Sequence, residues 1–198
     1  MQEAPIDFYG PIHKGIRREL FLTCLQAGAV DVRASAEVIA LANRVERLVA
    51  LLRRHAEHEE THYHPILRER LPTLHARLDA QHTEQEPLLS AVEVARESLM
   101  LLPTQSGAAR LYGALNRFAA VTLQHTADEE AAMPLLREAC PRDVLARAHA
   151  ALVASMDPAE RQAGLELISA AISNPEREAL LRAAGVAAAS SPSAAASA

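Results

Sequence analysis

Apolar side chains recur every three to four positions along most of this chain. Val45, Leu48 and Leu51 share one face of a helix, and seventy residues later Leu115, Phe118 and Val121 repeat the spacing. Prolines punctuate the pattern. Pro11 suits the first turn of a helix over 11–29, and 31–35 reads as a loop. A second helix is predicted over 36–63. It ends before Pro65, because proline disfavours helix in the residue before it. Pro72 opens a third helix, 72–102, closed by Pro103 and a Thr-Gln-Ser-Gly turn. A fourth helix covers 108–133, with Pro134 inside or just beyond its end. Pro87 falls within the third helix and is expected to kink it, since its ring clashes with the carbonyl of Thr83.

Three further starts follow at Pro141, Pro158 and Pro175. In the last two, Asp157 and Asn174 precede the proline as capping residues, and Glu160 and Glu176 supply acid to the first turn. Four long helices joined by short turns predict an all-α fold, an antiparallel up-down four-helix bundle with short C-terminal capping helices. The expected divisions are 1–136 for the bundle, 137–185 for the short helices packed on it, and 186–198 for a disordered Ala/Ser tail.

Composition agrees with this reading. Of 198 residues 49% are hydrophobic, enough for one real core, while three Phe, three Tyr and no Trp leave little β-propensity. A net charge of −5 with both signs interspersed offers no electrostatic reason to expect nucleic acid. No apolar run approaches the roughly 18 residues that span a bilayer, and no signal peptide is visible. With Cys24 and Cys140 read as free thiols, a cytoplasmic protein is expected. Nine histidines, five of them between His55 and His75, are the compositional oddity.

The stretch HAEHEETHYHP, from His55, supports competing readings. His58-Glu-Glu-Thr-His62 spells the H-E-x-x-H of zinc proteases, and Glu59-x-x-His62 fits the Glu-x-x-His of ferritin-like di-iron bundles. Neither recurs elsewhere in the chain. His55-x-x-x-Glu59 does recur, as His125-x-x-x-Glu129, each followed by a second glutamate. Both histidines continue the apolar stripes described above, and both glutamates lie one turn further on the same face. His13 lies 42 residues before His55, and His82 lies 43 before His125. The chain thus reads as two helical hairpins, each bringing one His from its first helix and His-x-x-x-Glu from its second. Antiparallel pairing would bring six groups to one level of the core. Burying them is costly unless compensated, and a pair of divalent cations would compensate, with imidazoles suiting Fe or Zn. The plain alternative is two buried His–Glu ion pairs without metal.

At these residues the sequence resembles the hemerythrin-like family, also called the HHE cation-binding domain. The carrying stretches are HKGIRREL from His13, HAEHEETHYHPIL from His55, HTEQEPLL from His82 and HTADEEAAMPLL from His125, within 12–136. The resemblance implies a non-haem centre of two iron ions with an oxo or hydroxo bridge. It implies that His13 and His55 serve one iron, His82 and His125 the other, and that Glu59 and Glu129 bridge. Glu130 is the alternative second bridge. The family's oxygen carriers have a His-x-x-x-His pair on the third helix; here Glu86 stands four residues after His82 and is a further candidate ligand. His62 is a candidate for supporting His55. His75 and Asp79 share the face of His82, as a polar cluster or a plain surface pair. His58, His64 and His149 read as surface residues, Arg17 and Arg18 as makers of surface ion pairs, and Tyr9 as a lining of an access path.

The implied function is binding or sensing a small ligand (dioxygen, nitric oxide or peroxide) or buffering iron. The alternatives are a di-iron oxidase or peroxidase, and a metal-binding module that presents its C-terminal helices to a protein partner.

Overall fold

The computed structural model describes residues 6–183; the tail expected over 186–198 lies outside the described residues. The protein is all-helical, and among the described residues there is no strand. In chain order the helices are α1 (Gly10–Ala29), α2 (Ser35–His62), α3 (His64–Arg70), α4 (Pro72–Leu101), α5 (Gln105–Ala139), α6 (Arg142–Ser155), α7 (Pro158–Ser169) and α8 (Asn174–Ala183). No helix among the described residues is long and apolar enough to cross a membrane.

The four long helices close a ring of contacts: α1 packs on α2 and α5, and α4 packs on α2 and α5. Inside that ring the core is divided. One apolar cluster contains Ile16, Leu20, Val45, Leu48, Leu115 and Phe118. A second contains Tyr9, Tyr63, Leu67, Leu78, Met133 and Leu136. The histidines and glutamates of the repeat lie between the two clusters in sequence. The chain passes from Tyr9 through His13 to Ile16, then from Leu52 through Glu59 to Tyr63. It returns from Leu78 through His82 to Leu89, and leaves from Phe118 through His125 to Met133.

Local chemistry accounts for most helix boundaries. Thr104 caps α5 by accepting a hydrogen bond from the Gly107 amide at 3.1 Å, which starts that helix three residues before the predicted Ala108. Asp157 caps α7, accepting from the Glu160 amide at 2.8 Å. At α8 the pairing shifts one residue from expectation: Ser173 rather than Asn174 precedes the helix, and its amide and hydroxyl both donate to Glu176 Oε2.

Two expectations beside prolines are corrected. Pro65 does end α2, but the chain re-enters helix at once, and α3 fills a stretch expected to carry no element. The Ile66 and Leu67 amides both donate to the Tyr63 carbonyl, and Leu67 is fully buried. Pro134 lies inside α5, one of the two placements expected, and the helix continues to Ala139 rather than ending at Met133. A proline inside a helix costs about 3 kcal/mol. The burial of Met133, Leu136 and Cys140 beside it, at about 1.5–3 kcal/mol for each large side chain, outweighs that cost. The α4 helix likewise runs unbroken through Pro87.

The C-terminal helices lie against the first hairpin, α6 on α2 and α7 on α1. The contact of α7 is close at Gly15, where a Cβ would come within 2.8 Å of Leu167 Cγ. Arg54 on α2 donates through Nε to Glu160 of α7 at 2.6 Å.

Candidate metal centre

Each of the four ring helices delivers a histidine to the layer between the apolar clusters, and α2 and α5 add one glutamate each. His13, Glu59, His125 and Glu129 are buried, and the side chains of His55 and His82 are 14% and 11% exposed. The His-x-x-x-Glu spacing sets the local geometry, because residues four apart lie one above the other on a helix. His55 Nε2 is 3.0 Å from Glu59 Oε1, and His125 Nε2 is 3.2 Å from Glu129 Oε2. Across the ring, His13 Nε2 lies 3.3 Å from Glu129 Oε2 and 3.8 Å from Glu59 Oε1. His82 Nε2 lies 3.4 Å from Glu59 Oε2 and 2.9 Å from His125 Nε2.

These side chains form two overlapping groups of four. One is His13, His55, Glu59 and Glu129; the other is Glu59, His82, His125 and Glu129. Within each group, one ligand atom from every residue lies within 4.8 Å of the others, so each group could hold a metal ion. Both groups contain both glutamates. The donor set also shows why a cation suits it. Both oxygens of Glu59 and Glu129, and Nε2 of His13 and His55, are buried without a hydrogen-bond partner. Imidazole nitrogens face these buried carboxylates, and a divalent cation would give both kinds of group a partner.

The electrostatics of the metal-free layer follow from the same crowding. Burial alone would lower the pKa of His13, but Glu129, Glu130 and Glu59 outweigh it and raise it to about 10. Burial would raise Glu59, yet the charge on His55 and contacts with His13, His55 and His82 hold it well below the usual carboxylate range. Burial and the charge of Glu59 push Glu129 up, and His125 and His13 more than reverse that. Burial also raises Tyr9, reinforced by Glu129 and Glu59. Its phenol oxygen is buried without a partner, and its ring stacks one turn before His13 at 5.4 Å between centroids. Tyr9 is thus a fully buried neighbour of the layer.

Surrounding groups hold the imidazoles in register. His13 Nδ1 donates to Glu130 Oε1 at 3.1 Å, and Arg17 donates to that same oxygen at 2.6 Å and to Thr126 at 2.8 Å. His125 Nδ1 donates to Gln81 Oε1 at 2.9 Å, and Gln81 in turn donates to Asp128 at 2.7 Å. With Nδ1 carrying the proton in each case, Nε2 is left facing the carboxylates.

Three candidates from the sequence are not brought into either group. Glu86 is exposed and accepts from Arg53 at 2.9 Å and from Ser90. Glu130 stands behind His13 rather than between the two groups. His62 pairs with Ser155 at 3.2 Å. Reading His64 as a surface residue is also corrected: it is 4% exposed, because α3 folds it under α4 against His82. Arg17 is half-buried and serves the layer through Glu130; the surface reading of His58 is corrected too, since its side chain is 12% exposed and pairs with Glu160 at 3.2 Å, whereas His149 stays exposed. Gln81 carried no sequence signal of its own. Its place one residue before His82, 44 before His125, becomes meaningful only once α4 and α5 pack together.

Two hollows reach the layer. One, of about 310 Å³, is lined by His55, Glu59, His82 and His125 together with Phe118 and Thr122. The other, a mainly apolar cleft of about 1320 Å³ between the first hairpin and α6–α8, also touches His55 and Glu59. Comparison with protein-family models, with curated proteins and with solved structures yields no match to this chain.

Proposed function

We propose that the chain is a hemerythrin-like di-iron protein built as an antiparallel up-down four-helix bundle, and that it binds or senses a small ligand such as dioxygen, nitric oxide or peroxide. One observation carries the reading: two four-residue groups, each with two imidazoles, share the same two buried carboxylates. That is the donor set two neighbouring cations need when they are held by bridging glutamates. The alternating direction of the four crossings supports the antiparallel bundle. The free thiols of Cys24 and Cys140 support a cytoplasmic setting.

In this reading His13 and His55 hold one iron, His82 and His125 the other, and Glu59 and Glu129 lie between them. When bound, the iron pair supplies redox-active Lewis-acid positions at which a small ligand can exchange with water. The protein's own groups do the rest. Glu130 and Gln81 keep the protons of His13 and His125 on Nδ1, so that Nε2 offers its lone pair inward. The apolar clusters bury His13, Glu59, His125 and Glu129, which strengthens the charge interactions among them. Tyr9 Oη and Gln85 Nε2 are buried donors without a partner, and Gln85 lines the smaller hollow. With Glu86 turned to Arg53, His82 and His125 would be the histidines left to hold a second iron, where the resemblance implies a third histidine in oxygen carriers; this supports sensing, buffering or detoxification over bulk carriage.

A second reading, a di-iron oxidase or peroxidase, is favoured by the larger cleft. Its apolar walls and its contact with His55 and Glu59 suit an organic substrate.

The test is metal content paired with an optical spectrum of freshly isolated protein. Two equivalents of iron and the charge-transfer bands of a bridged ferric pair are expected. His55→Ala and His125→Ala should each lose iron; retention of two equivalents by both variants refutes the proposal. A spectrum that responds reversibly to the gas favours sensing, and turnover of peroxide or of an apolar substrate favours the enzyme.

A further inference from the structure

A different set of metal-competent side chains lies at the junction of α3 and α4. We propose that His64, His75 and Asp79 form a separate site for a single divalent cation of the zinc class, sharing no residue with the six-residue centre.

A ring nitrogen of each histidine and a carboxylate oxygen of Asp79 all lie within 4.8 Å of one another. Their convergence has a structural cause. His75 and Asp79 are four residues apart on α4 and occupy one face of its first turns. His64 is the first residue of α3, and the turn at Tyr63, forced by Pro65, carries it beneath that face. The rings of His64 and His75 meet edge to face, with centroids 5.2 Å apart.

The second observation concerns His64 itself. The residue is 4% exposed, and its Nε2 is buried with no hydrogen-bond partner. A buried polar atom without a partner calls for a ligand. From the solvent side, His75 is half-buried and Asp79 is exposed, so a cation can enter and water can complete its coordination. Two imidazoles and one carboxylate with an open position suit tetrahedral zinc and its neighbours in the transition series. They do not suit calcium or magnesium, which take oxygen ligands. The site adjoins the proposed di-iron centre: the rings of His64 and His82 stack at 5.1 Å with their planes 16° apart.

The experiment is equilibrium dialysis of the full chain against Zn²⁺, with a visible spectrum of the Co²⁺-loaded protein to report tetrahedral geometry. His75→Ala and Asp79→Asn alter accessible side chains, so both variants should fold, as circular dichroism will verify. Each is expected to bind one equivalent less than wild type, or to bind that equivalent at least about tenfold more weakly. Unchanged stoichiometry and affinity in both variants overturns the inference. His55→Ala and His125→Ala report on the larger centre separately. Loss there with retention in the two α4 variants overturns only the present site; loss in the α4 variants with retention in both His55→Ala and His125→Ala overturns only the di-iron reading.

Discussion

A proton on His13 competes with any cation for the same lone pair, and the structure sets the scale of that competition. The Nε2 atom of His13 lies between Glu129 at 3.3 Å and Glu59 at 3.8 Å, while Glu130 holds Nδ1 at 3.1 Å. Burial opposes the charge, but these carboxylates raise the pKa to about 10. In the metal-free protein at pH 7 the imidazole is therefore charged, and a cation must expel its proton. Three pH units at about 1.36 kcal/mol each make that displacement cost about 4 kcal/mol, or roughly a thousandfold in apparent affinity. The affinity of the His13 group should accordingly rise about tenfold per pH unit between pH 7 and pH 9. Burial would lower the pKa of His82, but Glu59 outweighs it and raises it, so the second group should show a dependence of the same sign. The assay is competitive titration of metal-free protein with Zn²⁺ against a chelator of known protonation constants at pH 7, 8 and 9. Calorimetry in two buffers of different ionisation heat counts the protons released. An affinity that stays flat over this range, or uptake at pH 7.5 without proton release, would refute the reasoning.

Stability of the metal-free protein should peak near pH 6.5. The raised pKa of His13 contributes stability that is full below 6.5 and is lost as pH climbs towards 10. His64, held at about 4 by burial and by neighbouring His82, resists a proton that the unfolded chain accepts, so stability also falls from pH 6.5 towards 4. The lowered pKa values of Glu59 and Glu129 remove more below about 4.5. Urea midpoints at pH 4.5, 6.5 and 9 check this, and a monotonic profile counts against it. Phe118→Ala, at a position 1% exposed in the first apolar cluster, should cost about 3–5 kcal/mol in urea unfolding; a loss below about 1 kcal/mol would mean that the cluster is not packed as described. Gly15→Ala should push Leu167 and α7 away from α1, while the helix itself gains up to about 1 kcal/mol in propensity. Limited proteolysis should then cut α7 faster with no fall in the thermal midpoint, and equal cleavage rates would show that α7 does not rest on Gly15.

Much of this architecture was readable before any coordinates. The 3.6-residue stripes through Val45, Leu48 and Leu51 and through Leu115, Phe118 and Val121 marked inward faces, and Pro11, Pro72, Pro158 and Pro175 marked helix starts. These are local signals: a missing amide, a fixed φ angle or a capping oxygen acts within one turn. The same locality made His55, His125, Glu59 and Glu129 recognisable, because each continued a stripe that was otherwise apolar, and the matching intervals back to His13 and His82 completed the set.

What the chain could not announce depended on groups far away in sequence. Glu130 is adjacent to Glu129, and only the packing of α5 against α1 turns it towards His13 Nδ1 and Arg17. Glu86 satisfies the i+4 spacing after His82, yet Arg53 on α2 draws it outward. Helix α3 was hidden because Pro65 reads locally as a stop. It forms because its Leu67 enters the apolar cluster of Tyr63, Leu78 and Leu136, and so His64 becomes a buried group and not a surface one. Helix periodicity and turn chemistry act over a few residues and can be read directly from sequence. The orientation of a carboxylate, and the burial of a histidine beside a break, are decided by contacts between helices, whose free energies exist only once the core has closed.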